Sequence, residues 1–260
     1  MFLETEAKRL AAQFTERLAH SEVKRRKPMH IAMWSGPRNL STAMMYSFGA
    51  RAEFSVLDEP FYAAYLDATG LDHPMRAEIL DTMETDPAVV AQQFQTKHSL
   101  YTKQMTHHIL DGFPRDWFAN ARHAFLIRHP ARVVASYAVK REAPTLDDIG
   151  FVQQCEIFEE VRAMGTDPVV VDSFDIRQDP EATLRKLCTA LGLDWDPAML
   201  HWPAGGHQSD GVWAAHWYGA VHKSTGFADP EGPLPEIADD LKPLVDAAMP
   251  SYDRLAAFKI

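Results

Sequence analysis

The chain has 260 residues, 46% of them hydrophobic, enough to bury one full-sized core, so a single domain over 1–260 is expected. Its formal net charge of −10 argues against a nonspecific grip on nucleic acid or anionic lipid. The two cysteines, Cys155 and Cys188, lie in apolar helical patterns and read as small core residues of a reducing compartment, and no run approaches the ~20 apolar residues of a membrane span.

In chain order, the first thirty residues lack a signal-peptide pattern. Leu3, Ala7, Leu10, Phe14 and Leu18 share one face of a helix predicted over 1–27, and Lys24 to Lys27 reads as a solvated bridge into the first strand. The expected location is therefore cytoplasmic. Short apolar runs at 29–34, 53–57, 99–104, 123–128 and 168–172 each precede a turn and a helical pattern. That alternation predicts a parallel sheet flanked by helices, with ligands bound beyond the carboxyl ends of the strands. Asp58, Glu59, Lys103, Gln104 and Arg128 would emerge on that edge. Residues 201–233, rich in glycine and aromatics, form the longest irregular stretch and read as a lid or substrate loop.

The first strand runs into Ser35-Gly36-Pro37-Arg38-Asn39-Leu40-Ser41-Thr42 at the start of an apolar helix. A helix start leaves several N–H groups unpaired and favours an anion. Arg38 adds a cationic fork, and Ser41 and Thr42 add hydroxyl donors. The segment reads either as a phosphate or sulfate cradle or as a plain helix start capped by Ser35 or Asn39. A nucleotide-triphosphate loop would need more glycines and a Lys beside the hydroxyls, so the ATPase reading is weak despite Asp58 and Glu59 ending the second strand.

The loop resembles that of sulfotransferases that use 3'-phosphoadenosine 5'-phosphosulfate (PAPS), whose PRSGTT-like segment matches here at Pro37, Arg38 and the pair Ser41-Thr42, and departs at Asn39 and Leu40. Residues 123–137, HAFLIRHPARVVASY, resemble the same family's 3'-phosphate motif, with Arg128 ending a strand and Ser136 eight residues later on a Pro-opened helix. Converging on one dianion is the role this implies for them. Read without the family, Arg128 would simply cap a strand and Ser136 face solvent. Residues 169–200 resemble the family's strand, Asp179-Pro180-Glu181 helix start and Gly192 helix stop.

The resemblance spans most of 29–227 and implies a three-layer α/β/α, P-loop NTPase-like fold on a central parallel sheet of about five strands. The implied activity is transfer of a sulfuryl group from PAPS to a hydroxyl or amine of a small-molecule or carbohydrate acceptor, with no nucleic acid or membrane partner. Arg38 would stabilise charge on the bridging oxygen. A late loop would close over the cofactor, with Lys223, Ser224 and Thr225 standing where the family's usual late motif is absent. Cytosolic members place a base His two residues after a third-strand Lys, but here Met105 holds that position. Glu59, His107 and His108 are the candidates for the base, with the two histidines on a predicted helix facing opposite ways and Asp58 on the opposite strand face from Glu59. The twelve histidines show no metal-binding spacing, so no metal is expected. An atypical small-molecule kinase and a non-catalytic nucleotide-binding module are the rival readings.

Overall fold

The computed structural model describes residues 27–139 and 144–260. The predicted N-terminal helix and its basic run up to Arg26 lie outside them. Five strands, β1 (His30–Ser35), β2 (Phe54–Asp58), β3 (Ser99–Met105), β4 (Ala121–Ile127) and β5 (Val169–Asp172), form one sheet in the order β2-β3-β1-β4-β5. Every pairing is parallel, and each strand starts and ends within two residues of its expected bounds.

Both faces of the inner strands are covered, which is why runs such as Ile31–Trp34 and Ala124–Ile127 read as unbroken and apolar, whereas β2 at the edge leaves Ser55 exposed. Along β1, Ile31 and Met33 enter one cluster with Met44, Phe48 and Leu187, whereas Ala32 and Trp34 enter the other with Phe158 and Leu255. The first layer contains α1 (Ser41–Gly49), α2 (Tyr62–Thr69) and, after α3 (Arg76–Thr82) and α4 (Pro87–Gln92), the later helix α9. That helix spans Pro180–Ala190, opened by Asp179, whose side chain accepts from the Ala182 N–H, and stopped near Gly192 at φ 64°. The opposite layer is built on α7 (Phe151–Ala163) and α11 (Lys242–Ala256). Before α7 come α5 (Pro130–Ala138) and α6 (Leu146–Ile149), and between α7 and α11 lie α8 (Ser173–Gln178) and the short α10 (Ala214–Trp217) besides α9.

The chain steps outward from β1 to β2 and returns through β3, then crosses to β4 on the other side. The reversal places the crevice of an open α/β sheet beside the carboxyl end of β1. One predicted element differs. The helix expected at His107 and His108 is a single 3₁₀ turn, Thr106–His108. Thr106 is tied down by donating its hydroxyl to the Gly150 carbonyl at 3.0 Å, and Ile109 is already extended, so no further turn propagates.

Candidate active site

The loop after β1 is tightly built. A Cβ on Gly36 would lie 2.3 Å from the Ile149 carbonyl oxygen, so only glycine fits that approach. Arg38 and Leu40 have φ of 63° and 71°, left-handed conformations that cost a non-glycine residue about 1–2 kcal/mol each. Asn39 anchors the turn by donating from Nδ2 to the Leu126 carbonyl at 3.2 Å, and the buried Ser35 hydroxyl donates to Met105 Sδ at 3.8 Å. Neither side chain caps α1, whose first turn carries no side-chain cap at all. Such a bent loop above an uncapped helix start forms a concavity suited to an anion.

The guanidinium of Arg38 reaches across to α5, where its Nε donates to Ser136 Oγ at 2.9 Å. Arg128 Nη1 in turn donates to the Arg38 carbonyl at 2.6 Å. Arg38, Arg128 and Ser136 are therefore one group, brought together from three elements. Burial first, and then the neighbouring Arg128, pull the Arg38 guanidinium below its ordinary value, against the effect of Tyr137.

A second group lies at the ends of β2 and β3. Their register sets Asp58 opposite Lys103. Lys103 Nζ, on a residue only 1% exposed, donates to Asp58 Oδ1 at 3.0 Å and Glu59 Oε1 at 2.6 Å, and also to the Tyr218 hydroxyl. Strand alternation predicts that Asp58 and Glu59 point to opposite faces, and the structure corrects this. Glu59 has φ 44°, and its N–H returns to the Lys103 carbonyl at 3.0 Å, so the chain turns at the strand end and both carboxylates meet one ammonium. Burial pushes the Asp58 carboxyl up to about 6, Glu59 pushes the same way, and Lys103 opposes both. Burial by itself would lower the Lys103 ammonium, but Asp58 and Glu59 outweigh it and hold it above its ordinary value.

His107 and His108, expected on opposite faces, sit together with ring centroids 4.5 Å apart. His108 is stacked between Tyr62 and Tyr65 at 4.5 and 4.8 Å. Its Nδ1 is buried without a hydrogen-bond partner and lies 4.0 Å from Glu59 Oε2. Burial, aided by His107, His73 and Lys103, pushes the His108 imidazole far below its usual value, which keeps it neutral.

One cavity of about 300 Å³ joins these groups. Its wall runs from Arg38, Ser41 and Thr42 past Arg128 to Lys103, Glu59 and the two histidines. The 201–233 region covers it. Trp213 Nε1 donates to the Tyr218 hydroxyl at 3.0 Å, and that hydroxyl donates to Asp58, so the covering segment is pinned to the Lys103 group. Ser224 lines the cavity, and its hydroxyl accepts from Trp202 Nε1 at 3.1 Å. Lys223 and Thr225 are exposed and do not line it.

A family profile described as "Sulfotransferase domain" matches residues 29–259, which contain every group above. The chain belongs to the sulfotransferase domain family. Among curated proteins, the sulfotransferase chain is 39% identical over 209 residues to "Branched-chain-amino-acid aminotransferase-like protein 1" of Arabidopsis thaliana. It is 38% identical over 205 residues to protein 2 of the same name and organism. These matches cover 79% and 77% of this chain but 38% and 36% of the relatives, so the chain spans less than half of their length. Among solved structures, a sulfotransferase from Alicyclobacillus acidocaldarius superimposes with a TM-score of 0.50 at 11% identity, covering 89% of this chain and 95% of that one, which supports the shared fold.

Lys103 was expected on this edge, but its pairing with both carboxylates and with Tyr218 was not, and neither Tyr218 nor Trp213 was assigned to that group. Lys103 did leave a trace, a lone cation inside an apolar run, LYTKQM, whose neighbours are buried on both faces. Trp213 and Tyr218 stand out only as aromatics of the 201–233 loop, and aromatics in a long loop look the same whether they pack or bind. Among the described residues, no group of three or more His, Cys, Asp or Glu side chains is placed to hold a metal ion, and no helix is long and apolar enough to cross a membrane.

Proposed function

We propose that this sulfotransferase moves a sulfuryl group from PAPS to a hydroxyl or amine of a small-molecule or carbohydrate acceptor. The observation that carries the reading is the single cavity that connects an uncapped helix start, an arginine–serine pair and a buried carboxylate–lysine group. The residues suit such a cofactor. The α1 start with Ser41 and Thr42 offers donors to the 5' end, and Arg128 with Ser136 offers a cation and a hydroxyl to the 3'-phosphate. Arg128 Nε is buried without a hydrogen-bond partner, a donor left over for a ligand. PAPS, when bound, supplies an activated sulfur whose bond to the phosphate oxygen breaks as the acceptor oxygen or nitrogen attacks.

The chain's residues then have separate tasks. Arg38 and the α1 N–H groups meet the charge that builds on the bridging oxygen. Glu59 takes the acceptor proton: its Oε1 is held by Lys103, while Oε2 is turned toward His108. His108, kept neutral by burial, stands beside Oε2 as an uncharged wall of the site, and His107 lines the acceptor side. Ser224 and the tryptophans of 213–217 close the cavity above, Pro37, Asn39 and Leu40 line its floor, and Ser35 and Gly36 hold the loop behind them. A reducing, cytoplasmic setting belongs to the same reading, supported by Cys155 and Cys188, which are both unpaired.

Calorimetry tests the cofactor. Adenosine 3',5'-bisphosphate should bind far more tightly than adenosine 5'-phosphate, and Arg128→Ala should erase about 10- to 150-fold of that preference, the size of a charge-assisted contact. Equal affinity of the unaltered protein for the two nucleotides would refute PAPS as the donor.

A further inference from the structure

Beyond the cavity wall, Arg128 takes part in a cluster that the reading above does not use. Glu231, in the irregular segment after the 3₁₀ turn Val221–Lys223, has a side chain only 2% exposed, although its neighbours Pro230 and Gly232 are exposed. Three guanidiniums surround its carboxylate. Arg128 Nη2 donates to Oε1, Arg177 Nη1 donates to the same oxygen at 2.8 Å, and Arg132 Nε pairs with Oε2 at 3.0 Å. Arg177 and Arg132 also donate to the carbonyls of Asp229 and Gly232, which seats the segment on α8 and α5. The arginines come from the end of β4, from α5 and from α8, so the fold assembles the cluster from distant parts of the chain.

A single carboxylate does not satisfy this arrangement. It has two oxygens and one negative charge for three planar cations. Arg128 Nε is left buried and unpartnered, and Glu231 Oε2 has an ion-pair neighbour but no aligned hydrogen bond. The nearby acids are engaged elsewhere: Asp175 pairs with Lys259 at 2.9 Å and Asp172 accepts from the Tyr252 hydroxyl at 2.8 Å. A phosphate monoester supplies three terminal oxygens and nearly two charges, which matches the donors and the excess positive charge better than Glu231 does.

We infer that Arg128, Arg132 and Arg177 form one seat for a phosphate dianion and that Glu231 is a resident anion, which the phosphate replaces. The identity of that phosphate as the nucleotide's 3'-phosphate rests on the proposed function. Binding residues then include Arg132 and Arg177, to which the motif reading assigned no role although they lie within 123–137 and 169–200. Occupation of the seat releases the 229–232 segment, so cofactor binding is coupled to a change in the cover of the site.

The experiment is titration calorimetry of the full chain with adenosine 3',5'-bisphosphate, adenosine 5'-phosphate and inorganic phosphate. Removing the competing charge with Glu231→Gln should tighten the bisphosphate about 10-fold or more, and Arg177→Ala should weaken it by a similar factor, with adenosine 5'-phosphate unchanged in both. Inorganic phosphate tightening as much as the bisphosphate would keep the seat but detach it from the nucleotide. If the unaltered protein prefers the bisphosphate, yet Glu231→Gln leaves that affinity unchanged or weaker, the inference is overturned while the proposed function stands. A second measurement needs no variant: hydrogen exchange at 229–233 of the unaltered protein should quicken when bisphosphate binds. Unchanged or slower exchange there would mean that Glu231 stays in place.

Discussion

Replacing Lys103 by Met would test the buried charge group most directly. The side chains of Lys103 and Asp58 are 2% and 1% exposed, and that of Glu59 10%, so water cannot replace the lost ammonium. Met nearly matches the volume of the lysine stem, which limits the effect to the charge and its hydrogen bonds. Removing one partner of a buried ion pair costs about 3–5 kcal/mol, because the remaining charge is left uncompensated. At about 2–4 °C per kcal/mol for a chain near this length, the melting temperature at pH 7 should fall by roughly 6–20 °C. The pH dependence supplies the second half of the test. Asp58 already titrates near 6 when folded, above its ordinary 3.8, so the folded state holds this proton more tightly than the unfolded chain. Without Lys103 its folded value rises further, and the deficit of the variant should shrink as the pH falls from about 7 to 5. Circular-dichroism melts of both proteins at the two pH values would measure this. A melting temperature within about 2 °C of the unaltered protein at pH 7, or a deficit that does not shrink on acidification, would refute the account of a charge-compensating lysine.

Other outcomes follow from the same geometry. Because the raised folded value of Asp58 favours folding at low pH and penalises it as the pH rises from about 4 to 6, Asp58→Asn should gain stability relative to the unaltered protein across that window; urea unfolding at both ends measures the difference, and a constant difference would remove Asp58 from the titration. Glu59→Gln keeps the shape of the side chain but not its basicity, so turnover should fall about 10²- to 10⁴-fold while calorimetric affinity for adenosine 3',5'-bisphosphate stays the same. Full activity in that variant, with His108→Ala inactive, would move the proton to the histidine.

The sheet was legible because its inner strands are buried on both faces and print nearly unbroken apolar runs, as in Ile31 to Trp34 and Ala124 to Ile127, each followed by a turn. The punctuation was legible too, since Pro130, Asp179 and Gly192 act locally on the helices that they start and stop. The loop from Ser35 to Thr42 and the spacing of Arg128 and Ser136 stood out for the same reason: their chemistry sits within a few residues of a strand end. What the tertiary structure alone decided concerns partners far apart in the chain. Asp58 and Lys103 meet through β2–β3 register, Tyr218 joins them from the covering loop, and Glu231 finds Arg128, Arg132 and Arg177 across three elements. Strand alternation assigned Asp58 and Glu59 to opposite faces, and a left-handed backbone at Glu59 turned both toward the lysine. Local periodicity carries the short-range constraints of backbone geometry and burial. Pairing of charges depends on which chain segments the sheet order brings together, and no window of sequence contains that order.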